Sequence, residues 1–289
     1  MTWLICIVTG TALFLYAALF KVRAEHDDLP DEVMRAFSCL TLGLIKTFPN
    51  AVIKHEEGID IVWSGDRIEF PGNGAFSIPG STTIAQLERN LKYVQNEFNE
   101  LNKDGRYGLF DFEASSLLAN HISVNRIEEV CLKYGFTPSQ NATMVRHGGL
   151  FDKIDFRDLE VKRVQSAEQI FQIFALFFPE SKTDWSYSVD FYMSLYGYVG
   201  YVDGKVVTTA TAHLHEDKMF LSAVGTHPDY RNRGYGTAIS KYALQMAMEQ
   251  SGSTISMLHA TPMGKPIYEK IGFRQIGTAF FTKYETTKH

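Results

Sequence analysis

The chain has 289 residues, enough for one large domain or two of about 130 residues each. Apolar residues make up 45% and aromatic residues 13%, so most of the chain can bury cores and general disorder is excluded. The formal charge is −5 with no dense Lys/Arg run, which argues against a nucleic-acid binder built on a basic face; an acidic balance this small favours amine substrates only slightly. Cys6, Cys39 and Cys131 are odd in number and lack metal-like spacing, and they read as reduced, packed thiols of a reducing compartment.

Residues Thr2 to Phe20 carry no charge, and as a helix they would span roughly the 30 Å hydrocarbon core of a bilayer. No basic residue precedes them, while Lys21 and Arg23 follow at once, so the positive-inside rule would put the rest of the chain in the cytoplasm. A cleaved signal peptide fits less well, because the basic n-region and a small-x-small site are missing. Residues 1–24 therefore read as an apolar helix and candidate membrane anchor, with membrane contact through 2–20. The alternatives are a helical extension, or upstream sequence outside the working protein.

Asp31 to Phe48 has helical spacing, with Val33, Phe37, Leu40, Leu44 and Ile45 on one face. Strand-like runs follow at 51–54 and 59–63, then the turn-forming stretch Pro71-Gly72-Asn73-Gly74. Thr83 and Gln86 form a capping-box pattern ahead of the stripe Ile84, Leu87, Leu91, Val94, Phe98 and Leu101. A strand is expected over 107–112. A helix marked by Ile127, Val130, Cys131 and Tyr134 stops at Gly135, and a strand covers 142–146.

A linker-like stretch, 148–158, leads to a second unit. Strands are predicted at 159–164, 198–202, 206–213, 220–226, 255–260 and 278–284. Asp203-Gly204 is a hairpin signal between the second and third of these. Helices are predicted at 167–178, 234–250 and 266–271. The run Cys131-Leu-Lys-Tyr-Gly135-Phe136 is echoed by Tyr268-Glu-Lys-Ile-Gly272-Phe273, each a helix end, a glycine and an aromatic entering a strand. The expected architecture is α/β (α+β): a mixed central sheet flanked by helices, in two pseudo-duplicated units at 25–150 and 151–289.

The second unit holds the chemical signal. The strand ending Val224-Gly225-Thr226 runs through His227-Pro228-Asp229-Tyr230 into Arg231-Asn232-Arg233-Gly234-Tyr235-Gly236-Thr237 and then a helix. A helix start presents backbone N–H groups without helical partners, and these attract anions. Gly234 and Gly236 let a backbone approach a pyrophosphate, and Arg231 and Arg233 add charged donors. A dinucleotide fingerprint would need a third glycine where Ile239 stands, and the Gly-Lys-Ser/Thr of a P-loop is absent.

This stretch resembles the acyl-CoA signature of the GNAT superfamily of N-acyltransferases, Gln/Arg-x-x-Gly-x-Gly/Ala, and the resemblance runs from about Val161 to Tyr284. It implies a GNAT-like fold and transfer of an acetyl group from acetyl-CoA to a primary amine on a small molecule or peptide, by direct attack in a ternary complex. It implies that Val224, Gly225, Thr226, Arg231, Asn232, Arg233, Gly234, Tyr235, Gly236 and Thr237 hold the cofactor, and that Tyr268 is the general acid. The first unit looks like the degenerate GNAT-like half that precedes the working one in some members, shaping the cleft without binding CoA. His213, His215, Glu216, Ser222 and His259 are the candidate bases, each also explicable as structural or solvated, with a water chain as the alternative. His213-Leu-His215-Glu216 lacks a third metal ligand, so no metal is expected. Thr261-Pro262 stand where the family often carries an asparagine. The competing readings are an acyl-CoA-binding sensor without catalysis and a membrane-anchored interaction protein.

Overall fold

A computed structural model describes residues 29–285, apart from 57–58, 65–72, 78–82, 102–108, 114–121, 167, 170–171, 173–174 and 177–188. The apolar segment at 2–20, Cys6 and most of the helix expected over 167–178 lie outside the described residues. Among those described, no helix is long and apolar enough to cross a membrane.

The first half runs α1 (Leu29–Ile45), β1 (Val52–Glu56), β2 (Ile59–Trp63), β3 (Asn73–Ser77), α2 (Ile84–Leu101), β4 (Leu109–Glu113), α3 (Val124–Lys133) and β5 (Phe136–His147). The second runs β6 (Glu160–Arg163), α4 (Val189–Ser194), β7 (Tyr196–Val202), β8 (Lys205–His215), β9 (Lys218–Thr226), a 3-10 turn (Pro228–Tyr230), α5 (Tyr235–Ser251), β10 (Ile255–Ala260), α6 (Lys265–Lys270) and β11 (Arg274–Glu285). Among the described residues the strands form one sheet, in the order β1-β2-β3-β4-β11-β5-β10-β9-β8-β7-β6.

The two halves repeat one plan. Three antiparallel strands lead to a helix, then a strand parallel to the third, a short helix and a last strand. The last strands are exchanged. β5 pairs with β10 of the second half, β11 pairs with β4 of the first, and β5 and β11 pair with each other along Tyr284↔Phe136 to Arg274↔Val145. The echo in the sequence marks equivalent corners, since Gly135 (φ 78°) and Gly272 (φ 96°) both take the left-handed conformation that ends the preceding helix. Asp203 (φ 49°) and Gly204 (φ 73°) make the β7–β8 turn with both central residues left-handed, as the Asp-Gly pair predicts.

Apolar stripes decide which face each helix covers. Leu87, Leu91, Val94 and Phe98 of α2 and Ile127 and Val130 of α3 bury against Ile59, Ile61 and Phe136. Ile239, Ala243, Leu244 and Ala247 of α5 bury against Met219, Leu221, Leu258 and Ala260. Each large side chain so buried is worth about 1.5–3 kcal/mol. Helix α1 joins the two halves. Its Val33 and Ala36 pack on Phe220 and Met257, its Leu44 on Val164 and Val199, and its Ile45 on Val62. Glu32 adds a 2.7 Å ion pair to the ammonium of Lys218 at the start of β9.

Three expectations need correcting. Asn73–Ser77 is a strand where the sequence shows a glycine- and proline-rich turn, and β5 begins six residues earlier than expected. Cys39 is exposed and not packed, whereas Cys131 is fully buried.

Candidate active site

Strands β9 and β10 run parallel but pair only at Met219↔Ser256 and Phe220↔Met257. Beyond Phe220 they separate, so among the described residues Leu221–Thr226 has a strand neighbour on the β8 side alone. On that side the ladder slips: Thr209 faces Gly225, while Thr211 faces Ser222. Two β9 residues, Ala223 and Val224, therefore oppose the single residue Ala210, a β-bulge with Ala223 held at φ 48°. A bulge takes backbone amides out of the ladder, here on the stretch of β9 that has parted from β10. Val224, Gly225 and Thr226 belong to that stretch. Thr226 is fixed at its end, its hydroxyl 3.0 Å from that of Thr208, which also donates to the Gly225 carbonyl at 2.7 Å.

That stretch leads to the start of α5. Arg231, Asn232, Arg233 and Gly234 are all exposed, and the loop alternates into the left-handed region at Asn232 (φ 62°) and Gly234 (φ 84°). Successive N–H groups in such a turn converge on a shared point and form an anion nest. Gly234 caps α5 without any side-chain hydrogen bond, so the first-turn amides of Tyr235, Gly236 and Thr237 have no helical acceptor. Arg231 Nε donates to the Thr226 carbonyl at 3.1 Å, and Arg233 Nη2 donates to the Asp229 carbonyl at 3.1 Å. Both guanidiniums are thus anchored along the loop while keeping further N–H groups for a ligand.

Two residues are placed differently from what their types suggest. The side chain of Tyr235 is turned inward and buried, its hydroxyl donating to Asp158 Oδ1 at 2.6 Å, so it offers the site its amide and not its ring. That bond holds the Asp158 carboxyl below its ordinary range and pushes the phenol up. At Gly236 a Cβ would stand 3.1 Å from Thr226 Oγ1 and 3.8 Å from Ile267 Cδ1. The glycine therefore lets α5 begin directly against the end of β9 and beside α6.

Helix α6 places Tyr268 in the core cluster under α5. The residue is 8% exposed, its ring edge-on to Phe273 at 5.9 Å, and burial pushes its hydroxyl above the ordinary phenol value. At the equivalent corner of the first half stands Cys131, whose thiol burial pushes up to about 12.

The candidate bases divide by position. Strand alternation puts Thr211, His213, Phe220, Ser222, Met257 and His259 on the sheet face opposite α5. Burial lowers His213 to about 4, with His215 nearby adding to the effect, and lowers His259 to about 3, so both imidazoles are neutral at pH 7. His259 Nδ1 lies 3.4 Å from Thr143 Oγ1, and Ser222 Oγ donates to the Thr211 carbonyl at 3.5 Å. His213 and His215 line a cavity of about 370 Å³ with Cys39 and Leu40 of the first half and Phe191 and Tyr196 of the second. Glu216 lies with Glu32 and Asp217 in an acidic cluster whose centre is taken by Lys218, bonded to Glu32 and Asp217. One cation at the site carries no local sequence signal: the guanidinium of Arg157 lies beside Gly234, its Cζ 3.6 Å from where a Cβ would stand.

Residues 167–273 match the family model of the acetyltransferase (GNAT) family. Among functionally curated proteins, no sequence matches the chain. Solved structures of the same fold include a GCN5-related N-acetyltransferase from Kribbella flavida, 20% identical over 89% of this chain and 96% of that one, with a TM-score of 0.62. A conserved protein of unknown function from Staphylococcus epidermidis is 14% identical over 83% and 96% of the two chains, with a TM-score of 0.57. A tandem GNAT protein from the clavulanic acid biosynthesis pathway is 12% identical over 91% and 95%, with a TM-score of 0.53. The parted strands, the bulge and the uncapped helix start lie inside the segment 167–273 that matches the GNAT acetyltransferase family model, and the chain shares the fold of these GNAT structures.

Proposed function

We propose that this protein transfers an acetyl group from acetyl-CoA to a primary amine of a small molecule or peptide, by direct attack in a ternary complex. The observation that carries this reading is the parting of β9 from β10 after two pairs, followed by a glycine-rich loop and a helix start with no side-chain cap. In this account the diphosphate rests on the amides of Tyr235, Gly236 and Thr237 between Arg231 and Arg233. The pantetheine arm runs along Val224–Thr226 as a third strand edge would, and the thioester reaches the bulge.

The amine nitrogen attacks the thioester carbon, the C–S bond breaks, and the departing sulfur takes its proton from Tyr268. Amides freed at the bulge stabilise the oxyanion, a kind of donor worth roughly 2.7–4 kcal/mol when removed elsewhere. Burial keeps the Tyr268 phenol protonated at neutral pH and also makes it a weaker acid than a free phenol, so its proton moves only as charge builds on the departing sulfur. With His213 and His259 neutral and weakly basic, the amine's proton leaves through water. The acceptor lies on the sheet face opposite α5, where the cavity lined by Leu40 and Cys39 gives the first unit (25–150) a part in shaping the cleft while the second (151–289) carries the chemistry.

The test is thiol release from acetyl-CoA across a panel of amines, with wild type beside Tyr268→Phe. The variant keeps the ring contact with Phe273, so CoA affinity should be nearly unchanged while kcat falls about 100-fold. Equal losses in both would assign Tyr268 to packing. CoA binding without turnover on any amine would favour a sensor over an enzyme.

A further inference from the structure

The stretch 148–158, which reads as a linker, is fastened to the phosphate loop. Asp158 holds the Tyr235 hydroxyl, the Lys153 carbonyl accepts from Lys241 Nζ at 3.2 Å, and the ring of Phe156 meets that of Tyr242 edge-on at 5.5 Å. All three contacts reach α5 or its first residue. Within this turn Arg157 sits at φ 53°, a conformation that non-glycine residues keep only where the surroundings impose it, and its amide donates to Asp155 Oδ1 at 3.3 Å. Its Nε lies 3.7 Å from Asp155 Oδ2, a loose pair between exposed groups that leaves the guanidinium open to solvent. The same Nε and Nη2 each lie 3.7 Å from the Cβ position of Gly234. A residue 74 positions from Arg231 thus supplies a third guanidinium at the loop, from the outer side.

Charge matching gives this third cation a partner. A diphosphate carries two negative charges and is matched by the helix amides with Arg231 and Arg233. CoA carries a further phosphate monoester on its ribose, at the end of the molecule remote from the thioester and nearest solvent. Arginine suits such a group because its planar fork meets phosphate oxygens in pairs. We infer that Arg157 binds the 3′-phosphate of the CoA donor and so makes the site prefer CoA thioesters over donors lacking that phosphate, such as dephospho-CoA. This rests on the acyl-CoA reading above. It adds a residue that selects the donor.

The test is calorimetry on the full chain, titrating CoA and 3′-dephospho-CoA into wild type, Arg157→Gln and Arg157→Lys. Wild type should prefer CoA by about tenfold or more, the size of one charge-assisted phosphate contact. Arg157→Gln should lose that preference by weakening CoA alone, while Arg157→Lys keeps part of it. Because Arg157 is exposed, an unchanged melting temperature will show that the variants are folded. Equal weakening of both ligands would put Arg157 on the diphosphate, and no weakening would leave it without a ligand role; either result overturns the inference. Wild type binding neither ligand would refute the acyl-CoA reading itself, and the inference with it.

Discussion

His213 and His259 show how burial sets the chemistry available at single residues. Both lie on the sheet face that α1 covers, and burial keeps both imidazoles neutral. A folded pKa near 4 against an ordinary 6.5 means that the unfolded chain binds a proton at His213 that the folded chain refuses. Stability is therefore intact above about pH 6.5 and is lost progressively as pH falls to about 4, by on the order of 3 kcal/mol for a fully buried group. Urea-unfolding midpoints of wild type should drop across that window, and His213→Gln should flatten the slope. Parallel slopes for the two proteins would show that His213 does not set the acid limit. The residue scale also marks what sequence could and could not reveal. Arg231, Arg233, Gly234 and Gly236 are legible because their spacing after a strand is itself the signal. Arg157 is not, because its place beside Gly234 comes from a turn far away in the chain. The inward turn of Tyr235 is equally hidden, since its partner Asp158 lies 77 residues upstream.

Among the elements, the amphipathic helices are readable in the sequence because one face buries and the period is 3.6. Strand β3 is hidden, because Gly74 and Ala75 are buried by close packing between β2 and β4 and supply no apolar alternation. The first part of β5 is hidden for another reason. Pro138, Ser139, Gln140 and Asn141 have weak strand propensity, and long-range pairing with Phe280–Thr282 and Ala279 overrides it. The exchange of β5 and β11 has a direct consequence. Residues 151–289 alone would leave β10 unpaired on one side and β11 without either of its sheet neighbours. We expect that fragment to be insoluble or to unfold without cooperativity, and co-expression with 1–150 to restore a folded complex. A soluble 151–289 fragment with a sharp melt would show that the second unit does not need the exchanged strand.

For the molecule as a whole, the plan shared by the two halves is closed in the first and open in the second. In the first unit the helix that follows β3 is capped, the Thr83 hydroxyl accepting from the Gln86 amide at 3.1 Å. The strands β3 and β4 pair at three positions, through to Phe76↔Glu113, and the place equivalent to Tyr268 holds the buried Cys131 thiol. In the second, α5 starts on an uncapped glycine, β9 and β10 part after two pairs, and α6 carries the buried Tyr268. The most direct measurement is the change in backbone amide NMR signals when CoA is added. Large shifts are expected at Val224–Thr226 and Gly234–Thr237 and none at Ile84–Leu87. Shifts confined to the first unit, or none in either, would contradict it.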